Sequence, residues 1–149
     1  MTSIVALLLA LLQNGLKSKH DYNEALYSKK ATLAAVANQL DIDFTKINGD
    51  QVTEIFNSQI EQSVVNSDGK VLSTEELEEM GVKNGKAENL DLAKENKKPI
   101  DERLLPLYEF TKSGGDKFYI TYARGKGLWD EVWGNIALES DLNTIAGVS

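Results

Sequence analysis

Residues 122–134 read Tyr122-Ala123-Arg124-Gly125-Lys126-Gly127-Leu128-Trp129-Asp130-Glu131-Val132-Trp133-Gly134. Both tryptophans of the chain and three of its glycines fall in this stretch. Glycine permits backbone conformations and close approaches that a Cβ forbids. Tryptophan supplies a broad apolar surface with one N–H that seeks an acceptor. Together they suit a strand that turns past a planar ligand. The same residues also build a plain corner between strands, and their chemistry alone favours that plainer reading.

Working outward, the flanks are strand-like. Lys117 to Ala123 is rich in aromatic and β-branched residues, which fit a pleated surface. Leu105 to Thr111 alternates with period two. Its Pro106 lacks a backbone N–H, which predicts an edge strand or a first position. Ser113-Gly114-Gly115-Asp116 is a turn between these two. On the far side, Val132 to Glu139 and Asn143 to Val148 predict two more strands, joined by Ser140-Asp141-Leu142. Strand character persists almost to Ser149, which reads as an early stop because an unpaired edge is usually avoided.

The first half of the chain reads as helical. Ile4 to Leu12 is a run of nine apolar residues, about 14 Å as a helix. A bilayer core is about 30 Å thick and needs ~20 such residues, so the run cannot span one as it stands. No Lys or Arg precedes it, unlike a secretory signal. A buried helix, an interfacial helix and the end of a longer membrane helix all remain open. Beyond it, Tyr22, Leu26, Leu33, Val36 and Leu40 share one helical face, with Lys17, Lys19, Lys29 and Lys30 on the other side. The reading is one long helix to Leu40, with Asn14-Gly15 as a point of interruption. Asp41 to Asp50 is a break. Gln51 to Gln62 predicts a helix capped by Asp50. Val64 to Leu72 predicts a hairpin turning on Asp68-Gly69. Ser73 to Met80 predicts a short acidic helix closed by Gly81. Val82 to Lys98 reads as a polar, mobile connection carrying a short helix at Leu90 to Lys94.

Composition excludes several functions. The 149 residues carry a net charge of −7, which disfavours nucleic acid as a partner. There is no cysteine, hence no disulfide, thiolate cluster or Cys-based zinc site. The single histidine, His20, sits between Lys19 and Asp21 and reads as a solvated helix residue. The acidic cluster at 75–79 lacks the alternation of a calcium loop, so no metal is expected. No Rossmann fingerprint, phosphate loop or nucleophile elbow is present.

Two segments carry a resemblance. Pro99-Ile100-Asp101-Glu102-Arg103-Leu104-Leu105-Pro106-Leu107-Tyr108 is the first. The second combines Gly125-Lys126-Gly127-Leu128-Trp129, Trp133-Gly134, Ile136-Ala137-Leu138 and Asn143-Thr144-Ile145-Ala146-Gly147-Val148. In order and spacing both resemble the C subunit of the sodium-translocating NADH:quinone oxidoreductase. The resemblance implies an α+β fold: a long N-terminal helix, the end of a membrane anchor, and then an antiparallel sheet of the FMN-binding type, incomplete at the C-terminus. It divides the chain into a partial anchor (1–40), a helix and hairpin region (41–98) and the first part of the FMN-binding domain (99–149).

It also implies a role as a membrane-anchored, FMN-carrying electron-transfer subunit, in electron transfer from NADH to ubiquinone coupled to sodium export. The chain alone is expected to be inactive. Partners are the other subunits and the membrane. The location implied is the bacterial inner membrane, with the soluble domain periplasmic, although the lysines after the apolar run argue weakly against that sidedness. Gly127, Leu128 and Trp129 match the family's segment near the flavin and are expected to line it noncovalently, with Gly127 allowing close approach. The family attaches FMN to a threonine in a Ser-Gly-Ala-Thr motif. No such motif occurs in these residues, nor does the family's Glu-Thr-Pro-Gly-Leu-Gly segment. The alternatives are a non-catalytic assembly module of that complex, or the G subunit of an Rnf-type electron transport complex.

Overall fold

A computed structural model describes residues 2–40 and 42–149, and within the first helix the side chains of residues 2–4 and 7–14 lie outside the description. Helix α1 (Thr2–Ala34) runs without interruption through Asn14-Gly15. One interior glycine costs a helix only about 1 kcal/mol, which the helix formers around it offset. The break falls instead at Ala35-Val36, before the single turn α2 (Ala37–Leu40). Ala35 and Val36 are buried there. Leu33 and Val36 enter the core, with Leu26 and Leu40 packed against it. His20 is exposed. The apolar run from Ile4 to Leu12 lies outside the described side chains, apart from the exposed Val5 and Ala6. Among the described residues, no helix is long and apolar enough to cross a membrane.

One lysine departs from the expected polar face. Lys29 Nζ pairs with Glu88 at 2.9 Å and lies 5.1 Å from the centre of the Phe56 ring. Its aliphatic stem can cover apolar surface while its head finds a carboxylate.

Helix α3 (Gly49–Gln59) is capped by Asn48 rather than by Asp50. Asn48 and Gln51 exchange side-chain and backbone hydrogen bonds in a capping box, and Asp50 falls in the first turn. The helix buries Val52 and Phe56, and full burial of a side chain such as Phe56 is worth about 1.5–3 kcal/mol. It ends three residues early because Ile60 already belongs to strand β1 (Ile60–Val65). The expected hairpin at 64–72 is reduced to one bridge, Val65↔Val71, around a turn whose Gly69 has φ 77°. The main partner of β1 is a later strand.

That strand is β2 (Leu105–Thr111), followed by β3 (Lys117–Lys126), β4 (Glu131–Glu139) and β5 (Ile145–Val148). The five pair in sequence order, all antiparallel. Fold and strand direction are those the sequence predicts: α+β, with a long helix ahead of an antiparallel sheet. Pro106, however, lies in a central strand. It stands opposite Val64, whose carbonyl points away to the Leu72 N–H. The missing N–H of Pro106 therefore faces β3, where pairing starts one residue later at Leu107↔Thr121. No ladder bond is lost.

The sheet buries one face under the helices. Ile60, Val64, Tyr108, Phe110, Phe118, Ile120 and Ala137 lie on it. Phe56 meets Tyr108 edge-on at 5.8 Å, and Phe110 stacks with Phe118 at 6.0 Å. The reverse face, with Leu107, Tyr119, Ile136 and Leu138, is half-buried.

The connection from 66 to 104 is more ordered than its polar composition predicts. Helix α4 (Thr74–Glu79) carries a capping box between Ser73 and Glu76, and Gly81 closes it at φ 85° as predicted. Two 3₁₀ turns and helix α5 (Leu92–Glu95) follow. Val82, Ala87 and Leu90 enter the core, so the segment is pinned, not a free loop. Glu95, 7% exposed, accepts from Lys98 Nζ and from the Leu104 N–H. Arg103 donates to the carbonyls of Lys98 and Asn96. These bonds tie the end of the connection, from Glu95 to Leu104, to itself.

Candidate functional site

Strands β3 and β4 form a long hairpin, and its register brings distant residues together. Tyr122 stands opposite Asn135, Arg124 opposite Trp133, and Lys126 opposite Glu131. Side chains alternate along a strand, so all six share the face that meets α1. There Tyr27 of α1 approaches Trp133 edge-on at 6.1 Å, and Tyr122 lies at 6.3 Å from the same indole, tilted by 30°. A groove of about 260 Å³ opens between helix and sheet. Tyr27, Tyr108, Tyr122, Trp133, Asn135 and Pro106 line it. Trp133 is 51% exposed, so it serves as a wall rather than as a buried anchor.

The floor is held by hydrogen bonds. Asn135 and Ser149 exchange backbone bonds of 3.1 and 3.0 Å. Asn135 Nδ2 donates to Ser149 Oγ, and that hydroxyl donates to the Ala31 carbonyl at 2.7 Å. Hairpin and helix are thereby tied on one side of the groove. Tyr108 supplies a neutral wall: burial, then the charge of Glu88, pushes its phenol well above the ordinary tyrosine range. Glu24 is the groove's one charged side chain among the described residues.

The expected site residues Gly127, Leu128 and Trp129 stand at the hairpin tip, outside the groove's lining. The Gly127 N–H donates to the Asp130 carbonyl at 2.9 Å. A Cβ at Gly127 would sit 2.6 Å from that oxygen and 2.8 Å from Val132 Cγ2, so the glycine serves the turn. Leu128 and Trp129 project outward, 89% and 95% exposed. At the base of the tip Arg124 forms an ion pair with Glu131.

No protein-family model matches the chain, and no curated protein matches it in sequence. Among solved structures it is similar to the C subunit of the Na(+)-translocating NADH-quinone reductase from Parabacteroides distasonis, with a TM-score of 0.67 and 24% identity. The fold is the same. The likeness covers 90% of this chain, which spans 56% of the length of that protein.

Tyr27, Tyr122 and Asn135 are site residues that the sequence does not single out. Tyr122 and Trp133 both fall in the decisive stretch, but their closeness depends on the register. Tyr27 offers a weak signal: it lies one helical turn from Ala31, a small residue that leaves room beside it.

Proposed function

We propose that the chain is a flavin-binding electron-transfer component related to the C subunit of sodium-translocating NADH-quinone reductases. The groove walled by Tyr27, Tyr122 and Trp133 carries this reading. Aromatic walls with a few polar groups suit a planar ring. A volume of about 260 Å³ is near the lower end for ligand pockets, roughly 300–1,000 Å³. It therefore suits the ring system of FMN rather than the whole mononucleotide. Bound FMN would supply one- and two-electron chemistry. The chain's own residues would orient it: Trp133 and Tyr122 by stacking, Asn135 by hydrogen bonding. The apolar walls would exclude water from one face of the ring.

In this reading residues 1–40 belong to an anchor, 41–98 support the sheet, and 99–149 form the first part of an FMN-binding domain. Gly127, Leu128 and Trp129 would close over the flavin or face a neighbouring subunit from the tip. The activity assigned is electron transfer from NADH to ubiquinone with sodium export, performed by the whole complex at the bacterial inner membrane with this domain on the periplasmic side. A covalent flavin link through Ser-Gly-Ala-Thr has no counterpart in these residues.

The exposed Leu128 and Trp129 favour a second reading, a non-catalytic assembly module, because an uncovered apolar pair marks a contact site. Titration of the chain's tryptophan fluorescence with FMN separates the two. Saturable quenching that Trp133→Leu abolishes supports the flavin reading. Quenching that stays linear in FMN, in the parent and the variant alike, supports the assembly module.

A further inference from the structure

We infer that a second cleft, at the base of the β3–β4 hairpin, binds the phosphate of a small ligand. This inference does not depend on the flavin reading. The cleft has a volume of about 530 Å³ and lies between the end of α5 and the hairpin. Lys97, Arg103, Arg124 and Lys126 line it, with Glu131 as its one carboxylate. Four cations around one carboxylate form an excess of positive charge on a chain whose net charge is −7.

The chain holds two of these cations, Arg103 and Arg124, in place. Arg103 is fixed by two backbone acceptors, Lys98 at 2.8 Å and Asn96 at 3.0 Å. These bonds occupy Nε and one Nη2 hydrogen and orient the guanidinium before any ligand arrives, which lowers the ordering cost of binding through its remaining N–H groups. Glu131 holds Arg124 from the opposite strand. Lys126 follows Arg124 on the same face, two residues along β3. Gly125 lies between them and also lines the cleft. Asn96, also in the lining, has a buried Nδ2 donor with no partner among the described residues.

The ligand class follows from these groups. Arginine forks and a lysine ammonium recognise phosphate through charge-assisted hydrogen bonds. The net charge of −7 works against docking of this cleft on an anionic lipid surface, even in a chain held at a membrane by its first helix, so a soluble phosphate is the expected source rather than a lipid headgroup.

The test is a titration of the full chain with inorganic phosphate at constant ionic strength, followed by the NMR signals of the arginine Nε–H groups and of the amides of residues 124–126. Saturable shifts are expected for Arg103, Arg124 and Lys126, with none from chloride at equal ionic strength. Lys126→Gln is an exposed change that leaves the fold intact. It should weaken phosphate binding roughly tenfold, as expected for one charge-assisted contact. Shifts that stay linear in phosphate, or that Lys126→Gln leaves unchanged, would overturn the inference. Sedimentation with phosphatidylglycerol vesicles separates the sources. Saturation with free phosphate supports a site for soluble ligands, whether or not the chain also pellets through its apolar first helix; pelleting that Lys126→Gln abolishes assigns the cleft to a lipid headgroup and overturns the inference. Binding to vesicles without any response to free phosphate refutes it.

Discussion

Gly147 of β5 passes directly beneath the Ala35 carbonyl oxygen at the end of α1, so that a Cβ on Gly147 would overlap it. Gln39 Nε2 reaches the neighbouring Ala146 carbonyl at 3.4 Å, and Ser149 Oγ reaches Ala31. The last strand is thus seated on the turn where the long helix breaks. Gly147→Ala should push β5 away from α1 at a cost of about 1–3 kcal/mol, the usual range for overpacking. Urea denaturation reads the loss, and amide exchange should quicken first in β5. An unchanged midpoint would show that the strand shifts without cost.

Lys29 joins three elements: α1, the Phe56 ring of α3, and Glu88 in the connection before β2. Glu88 in turn exchanges hydrogen bonds with Gln62 of β1. Both charged side chains are mostly buried, at 13% and 18% exposure, so their pairing counts for more than a surface ion pair. Lys29→Met keeps the stem and removes the charge. It should destabilise the fold by about 1–3 kcal/mol by leaving Glu88 short of a partner. Lys29→Met with Glu88→Gln should cost less than Lys29→Met alone, because no buried charge is then left unpaired. Equal losses would mean that the pair is not coupled.

The strands from 105 to 148 are legible in the sequence because alternation and turn residues are local properties. The closing of α4 by Gly81 is legible for the same reason, whereas Ser73 reads as the first residue of the helix and is its cap. What the sequence does not reveal is set by register and by long-range packing. Pro106 reads as an edge residue because a missing N–H is usually tolerated only there. The pairing with β3 happens to start one residue beyond it. Lys29 reads as solvated because its partner Glu88 is remote in sequence. Trp129 and Trp133 look alike in the sequence, yet one projects from the hairpin tip and the other walls a groove. Only the register of β3 on β4 separates them.

Tyr108 predicts an alkaline limit. Burial raises its phenol first, with the charge of Glu88 adding to it. The folded value lies above the unfolded value of about 10, so the folded state binds the proton more tightly. The stability from this group is complete below pH 10 and is lost as pH rises beyond it. Ultraviolet titration should show Tyr108 ionising above the ordinary tyrosine range, together with unfolding. Tyr108→Phe should move alkaline unfolding to higher pH, and an unmoved transition would count against this origin.

Glu76 predicts the opposite response in acid. The Ser73 N–H, and after it Lys70, holds its carboxyl below the ordinary value of 4.5. The capping contribution is therefore complete above that value and fades as pH falls through the lowered one. The amides of α4 should lose protection, relative to their intrinsic exchange rates, as pH falls through the lowered value, ahead of the sheet. In Glu76→Gln, which can still cap through its side-chain oxygen, that local acid sensitivity should disappear. Persistence of the response in the variant would assign it to another carboxyl.

The hairpin tip allows stability and function to be separated. Trp129 is 95% exposed, and truncating a side chain that touches little usually changes stability by within about 0.5 kcal/mol. Trp129→Ala should therefore unfold at the same urea concentration as the parent chain. Trp133→Ala removes the partner of Tyr27 and Tyr122 and should cost about 1–2 kcal/mol, since aromatic pairs contribute beyond their buried area. If Trp129→Ala keeps its stability but loses flavin quenching or association with a partner protein, the tip acts through what it touches in the complex. A marked loss of stability in Trp129→Ala would instead mean that the tip folds back onto the domain, contrary to its exposure.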